Sequence, residues 1–452
     1  MTWFFAWLLL AAAQTVRAQS GDWVGELNFG GPRWHLALHL DPPSGGALRG
    51  TADCIEQNAF DLPVSGAARS GRIEIRVASI GGSFSGAVSG DRLEGVWRQA
   101  GVSLSLSFRR GNLRPQEPRP PFPYREEEVL LRNAGVRLAG TLSLPATTPP
   151  HPAVLLLAGS GPQDRNGTAS GHRPWLVLAA CLARRGVAVL RMDDRGVGGS
   201  NGSLLDSTDE DFAGDALAAV GFLGSRPEID PRRIGVVGHS EGGIVASIAA
   251  ARSAEVSFVV LLSAPALPGD RILEAQAAAV ARAAGIPDHV ARANLEVERA
   301  LVGIAREDLD PAVAARRMDE AVRRAARRLP PEAAALVEAE AAGQVRLASS
   351  RWFRFLLDYD PLPDLVRLEV PVLAIYGALD LQVQPDLNQP LMESALRHGT
   401  VVRLPRLNHL LQTARTGSPL EYPEIEETMA PAVLERIAEW IAARRPAATP
   451  AR

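Results

Sequence analysis

The chain has 452 residues, a formal net charge of −3, 46% hydrophobic residues and 22% charged residues. That length accommodates two or three domains with ample core, and the composition excludes a wholly disordered chain or a coiled coil. The near-neutral balance offers nucleic acid no general attraction, and the absence of lysine excludes Schiff-base chemistry, pyridoxal-phosphate lysines, Ser–Lys dyads and the P-loop, since arginine cannot replace the amine.

Trp3 to Ala13 is a short apolar run, followed by Val16-Arg17-Ala18, which matches a small-x-small cleavage pattern, with no Lys or Arg ahead of it. It is shorter than the ~20 residues of a membrane span. The expectation is a signal peptide over residues 1–18, cut after Ala18, that delivers a secreted or periplasmic mature chain with no stable membrane span. A buried first helix or an uncleaved anchor is the competing reading. No cysteine lies near the cut, so a lipid anchor is not expected.

Residues 19–112 carry a period of two. Segments such as His35–Leu40, Arg72–Val77 and Val102–Phe108 alternate polar with apolar residues, and Ser44-Gly45-Gly46 and Gly81-Gly82 fall where hairpins would turn. This predicts a small antiparallel all-β domain. His35 and His39 share a strand face, but four residues of strand separate them by about 13 Å, too far for one metal ion. They read as solvent-facing strand histidines. Cys54 and Cys181 fall in different expected domains and read as free and buried. Residues 113–125, with LRPQEPRPPFPY at 113–124, are dense in proline and read as an extended linker.

From 126 to 445 the pattern changes. Apolar runs at Ala153–Leu157, Val187–Arg191, Ile234–Val237, Val259–Leu262, Val370–Tyr376 and Thr400–Leu404 alternate with helical stretches at Trp175–Arg185, Asp211–Leu223, from Gly242, and Pro431–Ala443. Runs that are apolar on both faces predict a parallel sheet covered by helices on both sides. Between them Asp270–Asp358 is rich in Ala, Arg and Glu and broken at Gly285-Ile286-Pro287, Asp308–Pro311 and Pro330-Pro331. It predicts an inserted helical cap, about 266–360, acting as a lid over a site or as added packing.

Gly238-His239-Ser240-Glu241-Gly242 is G-x-S-x-G placed between an apolar run and a small-residue helix. That setting suits a nucleophile elbow, a sharp turn that needs glycine on both sides and lifts the Ser240 hydroxyl above the sheet edge. In this arrangement acid and base follow the serine in that order. His289, His398 and His409 are therefore the candidate bases. His289 lies in the insert and His398 before the last strand; only His409, after it, reaches the rim that holds Ser240. Asp380, in the loop leaving Val370–Tyr376, is the expected acid, with Asp386 the runner-up. Asp358, Asp360 and Asp364 precede that strand and read as turn residues. A tetrahedral oxyanion needs donors, expected from the backbone N–H of Glu241 and that of Ser160 or Gly161 in the loop Leu157–Pro162. Gly159-Ser160-Gly161 is not a dinucleotide motif, because Asp164 stands where a third glycine is required.

The segment from about Glu126 to Ala443 resembles the α/β-hydrolase superfamily, and within it EstD-type two-domain bacterial carboxylesterases grouped with serine aminopeptidase-like hydrolases. The resemblance rests on GSGPQDRN at 159–166, RMDDRGVGGS at 191–200 and GHSEGG at 238–243. It implies an α/β-hydrolase fold with a helical cap, a Ser–Asp–His triad and cofactor-free, metal-free hydrolysis of short-chain acyl esters, with a small-molecule ester as partner. Asp193-Asp194-Arg195 reads as a charged turn bracing the neighbouring loop. Hydrolysis of peptides or amides by the same residues is the alternative, and a non-catalytic envelope-binding protein is a further one. A haloalkane dehalogenase is disfavoured, since its elbow carries an aspartate.

Overall fold

The computed structural model describes residues 20–28, 33–69, 71–307, 309–328 and 331–444, so the expected signal segment lies outside the described residues. The chain divides into two units, Met1–Gln116 with Thr168–His172, and Glu117–Gly167 with Arg173–Arg452.

Among the described residues the first unit contains eight antiparallel strands: β1 (Gly21–Asn28), β2 (Arg33–Leu40), β3 (Ala47–Cys54), β4 (Ala59–Arg69), β5 (Arg72–Val77), β6 (Gly82–Ser89), β7 (Arg92–Gln99) and β8 (Val102–Arg110). They form a closed barrel in which β8 returns to β1, with Phe108 opposite Gly25. Closure removes both sheet edges, and eight strands leave a lumen that side chains can fill. Trp23, Leu38, Leu48, Ile73, Ile75, Phe84, Leu93 and Phe108 are buried in that core. Phe84 meets Phe108 edge-on, 5.2 Å between centroids. Gly95 is required where β6 and β7 pass closest: a Cβ there would lie 2.2 Å from the Ser85 carbonyl oxygen.

One histidine departs from its expected setting. His35 is partly exposed and bonds Glu56 through Nδ1 at 2.6 Å. His39 is buried rather than solvent-facing, with Nδ1 2.7 Å from Asp22 and Nε2 3.0 Å from Asp53. Two carboxylates offset the cost of burying the ring, a solution that alternation alone does not disclose. Cys54 is buried and free; Cys181 is also free but half-buried, not buried as expected.

The second unit is built on an eight-stranded sheet. Its strands are β9 (Tyr124–Asn133), β10 (Val136–Pro145), β11 (His151–Leu157), β12 (Ala188–Met192), β13 (Ile229–His239), β14 (Phe258–Leu262), β15 (Val372–Gly377) and β16 (Gly399–Leu404). They lie in the order β16-β15-β14-β13-β11-β12-β10-β9. From β12 to β16 the pairing is parallel, but β9 and β10 form an antiparallel hairpin and β10 pairs antiparallel with β12, so the sheet is mixed. Periodicity did not single out this hairpin, because YREEEVLLRN in β9 is largely polar at its outer edge. Upstream, Glu117 accepts two hydrogen bonds from Arg173, at 2.9 and 2.6 Å, with both side chains buried. The stretch read as a linker is thus anchored to the second unit from that residue on.

Both faces of the central strands are covered, which explains their unbroken apolar runs. Val154, Leu156, Val237, Val260, Leu262, Leu373 and Ile375 pack against α1 (Pro174–Ala183) and α11 (Pro431–Ala442). Leu155, Val236, Val259, Leu261, Ala374 and Tyr376 face α2 (Asp209–Ser225), α3 (Glu241–Arg252), α9 (Leu362–Arg367) and α10 (Pro385–Ala395). Between β14 and α9 lies the helical insert: α4 (Gly269–Ala283), α5 (Asp288–Ala305), α6 (Pro311–Ala326), α7 (Pro331–Ala348) and α8 (Arg351–Asp358). It has its own core of Leu301, Ile304, Met318, Val322, Val345 and Leu357. Among the described residues no helix is long and apolar enough to cross a membrane.

Candidate active site

Ser240 sits between β13 and α3 with φ 53° and ψ −124°, a backbone conformation that an L-residue holds only when its surroundings enforce it. Its N–H donates to the Leu262 carbonyl at 2.9 Å, and its own carbonyl accepts from Gly243 N–H at 2.9 Å. The turn is too tight for side chains on either flank. A Cβ at 238 would lie 2.1 Å from the Gly242 carbonyl oxygen, and one at 242 would lie 2.3 Å from that of Ala158.

Asp380 and His409 come together because the ends of β15 and β16 are laced to each other. Ala378 N–H donates to Leu404 O and Leu379 N–H to Leu407 O, both at 2.8 Å. Asp380, 2% exposed, then accepts from the Gln382 and Val383 N–H groups on Oδ1, each at 2.9 Å, and faces His409 Nδ1 with Oδ2 at 2.9 Å. The His409 loop is held by Asn408 and Gln412, both fully buried. Asn408 Nδ2 donates to Gln412 Oε1, and Gln412 N–H to Asn408 Oδ1, each at 2.9 Å.

His239 joins this loop to the elbow. Its Nε2 lies 2.8 Å from the His409 carbonyl, and the two rings are 4.7 Å apart. Burial, with the neighbouring His409, pushes the His239 pKa down to about 4, so the ring is neutral and its Nε2–H is the donor. His409 is thereby fixed beside the residue that precedes Ser240. Among the described residues no hydrogen bond joins Ser240 Oγ to His409, whose side chain bonds Asp380 through Nδ1.

The loop after β11 lies over the serine. A Cβ on Gly159 would be 3.2 Å from Ser240 Cβ, and Gly161 has φ +90°. The turn at 193–195 holds this loop. Gln163 N–H donates to Asp194 at 2.9 Å, while Arg165 donates to Asp193 through its backbone N–H, Nε and Nη2 at 2.8–3.1 Å. Burial alone would raise Asp193, but hydrogen bonds from Arg165 and Gly199 outweigh it and hold the carboxyl below its ordinary range. Asp194 is pushed the other way, to about 7, by burial and by Glu241, Asp193 and Asp164. Arg195 completes the turn with a two-point pair to Asp215.

The rejected alternatives lie elsewhere. Asp386 is an exposed partner of Arg403 at 2.5 Å, and His289 and His398 are exposed. Asp358 pairs with Arg306, Asp360 caps Leu362 N–H, and Asp364 pairs with Arg367. Among the described residues no three His, Cys, Asp or Glu side chains are grouped to hold a metal ion. Sequence reasoning missed the roles of His239, Asn408 and Gln412. Only the position of His239 beside the nucleophile signalled one in advance.

A family model described as the alpha/beta hydrolase family matches residues 154–419. The chain is 26% identical to esterase EstD of Thermotoga maritima over 324 residues, 71% of this chain and 68% of that one. It is 32% identical over 125 residues to the uncharacterized protein Rv2307c of Mycobacterium tuberculosis, 28% of this chain and 41% of that one. Similar solved structures include proline iminopeptidase of Mycobacterium smegmatis (TM-score 0.43, 19% identity, 70% of this chain and 98% of that one). Another is Est1E of Butyrivibrio proteoclasticus with ferulic acid (TM-score 0.40, 16% identity, 70% and 98%).

Proposed function

The chain belongs to the alpha/beta hydrolase family, and on that premise we propose that it hydrolyses carboxylic esters with short acyl chains through Ser240, His409 and Asp380. The observation that carries this reading is the buried 2.9 Å bond between His409 Nδ1 and Asp380, held beside a strained serine elbow. With Nδ1–H committed to Asp380, His409 presents a lone pair on Nε2. Ser240 Oγ attacks the ester carbonyl carbon as Nε2 takes the hydroxyl proton. The oxyanion is held by Glu241 N–H, the first amide of α3, and by Ser160 or Gly161 N–H. Collapse expels the alcohol, which takes the proton from Nε2. Water repeats the sequence on the acyl-enzyme, releasing the acid and restoring Ser240.

The test is turnover of p-nitrophenyl butyrate and labelling by a fluorophosphonate probe. Ser240→Ala should lower kcat by at least about 10³-fold and abolish the label, with the circular dichroism spectrum unchanged. Turnover that survives the substitution rejects the assignment. An aminoacyl-amide panel assayed alongside separates esterase from peptidase activity. Export belongs to the same proposal: the N-terminus of the mature protein should be Gln19.

A further inference from the structure

Beside the nucleophile, Glu241 carries a buried carboxyl that this mechanism leaves idle. Its Oε1 accepts Trp352 Nε1–H at 2.6 Å. Trp352 is the second residue of α8, the helix by which the chain leaves the insert, and its backbone N–H donates to Leu205 O at 3.2 Å. Next to Glu241 lies Asp209, the first residue of α2 and wholly buried. With both groups ionised, neither Asp209 oxygen nor Glu241 Oε2 has a partner among the described residues. Burial, with Glu241 as the neighbouring acidic group, raises the Asp209 carboxyl well above its ordinary range.

Among the described residues no cation is paired with Asp209 or Glu241. Asp194 also feels Glu241, together with Asp193 and Asp164 from the neighbouring loops. Facing Asp209 from the α8 side is Tyr359, whose hydroxyl bonds Asp364 and which feels Arg252. Arg351, at the exposed start of α8, engages Asp211 at 3.4 Å. Two buried carboxylates side by side repel each other and lose hydration, so the favourable state keeps one proton between them in an O–H···O bond.

We propose that Asp209, Glu241 and Trp352 form a latch in which one shared proton and one indole N–H hold the Glu241 side chain from both sides. The latch fixes the peptide whose N–H at 241 serves as oxyanion donor and couples that donor to the helix leaving the insert. Asp209 and Trp352 are positioning residues; neither meets the substrate. The kinetic consequence rests on the esterase reading, whereas the latch itself does not.

The experiment compares wild type with Trp352→Phe, Asp209→Leu and Asp209→Asn on p-nitrophenyl butyrate. Trp352→Phe keeps the ring and removes the donor, so kcat should fall about tenfold while KM changes less than about twofold. Asp209→Leu should behave alike. Asp209→Asn supplies a standing N–H in place of the shared proton and should restore kcat to within about threefold. In the double variant Trp352→Phe with Asp209→Leu the losses should not add. A wild-type kcat in Trp352→Phe, or a kcat in Asp209→Asn as low as in Asp209→Leu, overturns the proposal. If Asp209→Leu does not fold, the other two single variants decide.

A readout independent of turnover keeps the two readings apart. The Trp352 indole N–H resonance, identified by its loss in Trp352→Phe, should be protected from hydrogen exchange in the wild type. If the wild-type protein neither labels nor turns over, the esterase reading fails, yet a protected indole still upholds the latch. Rapid indole exchange rejects the latch whatever the activity.

Discussion

Replacing Asp380 by Asn removes one acceptor and almost no volume, yet it should all but silence the enzyme. In the native protein one oxygen accepts from two backbone N–H groups, of Gln382 and Val383, and the other faces His409 Nδ1. An asparagine can keep the two backbone bonds only by turning its carbonyl toward them, which points its NH₂ at His409. Flipping the amide would set NH₂ against two N–H donors, that of Val383 buried and that of Gln382 partly so, forfeiting two hydrogen bonds at ~1–3 kcal/mol each. The NH₂ therefore faces Nδ1, which must then act as acceptor, and the imidazole proton moves to Nε2. A base whose reactive nitrogen already carries a proton cannot take one from Ser240. The corresponding tautomer inversion in the Ser-His-Asp template costs about 10⁴-fold in kcat, or ~5.4 kcal/mol at 1.36 kcal/mol per tenfold. The assay is kcat/KM for p-nitrophenyl butyrate, with thermal melting to confirm that the fold is intact. A folded Asp380→Asn protein within tenfold of the wild type would refute the assignment of the acid and the tautomer argument together.

Asp386→Asn, at the rival acid, should leave kcat/KM within about twofold, because that carboxylate is an exposed partner of Arg403; a large loss in the same assay would reinstate it. Gly242→Ala should cost at least about 3 kcal/mol, seen by calorimetry as a melting point lower by several degrees, since the new Cβ would meet the Ala158 and Leu157 carbonyl oxygens at 2.3 and 2.4 Å. His239 has a folded pKa of about 4 against an ordinary 6.5, so the fold binds the neutral ring. Its contribution, on the order of 3 kcal/mol, is present above pH 6.5 and lost as pH falls through about 4. Asp194 works in the opposite sense: raised from 3.8 to about 7, it favours the fold below pH 3.8 and loses that contribution as pH rises through about 7. The measurement is therefore the difference in urea midpoint between wild type and His239→Gln, which should shrink on acidification from pH 6.5 to 4.

Much of this organisation was legible in the amino-acid order because the relevant physics is local. Val154 to Leu156 must be apolar at every position when helices cover both faces, and that leaves a continuous run. The elbow was legible for a similar reason: a backbone at φ 53° between two positions that admit no Cβ leaves only a narrow choice of residues on its flanks. Chain order and strand ends then reduced three histidines to His409. The outer hairpin was obscure because β9, at the sheet edge, can carry polar residues without cost.

What stayed hidden depends on contacts between residues far apart in the chain. Burying a carboxylate is costly, so Asp209 and the side chain of Glu241 in sequence suggest only a solvated surface. Their burial makes sense once the partners are seen: an indole N–H lies 111 residues from Glu241, and Asp209 lies across the face of another helix. His39 repeats the lesson in the barrel, where Asp22 and Asp53 turn an outward-reading histidine into a buried one. In each case a polar group is tolerated inside because another polar group, distant in order, answers it. Acidic residues such as Asp209 and Glu241 therefore carry information that composition cannot reveal, since the same side chain is a solvated charge in one setting and a buried partner in another. At Glu241 the side chain is anchored to α8 by the Trp352 indole, so under the proposed latch the insert reaches the residue after Ser240 through a hydrogen bond of its own.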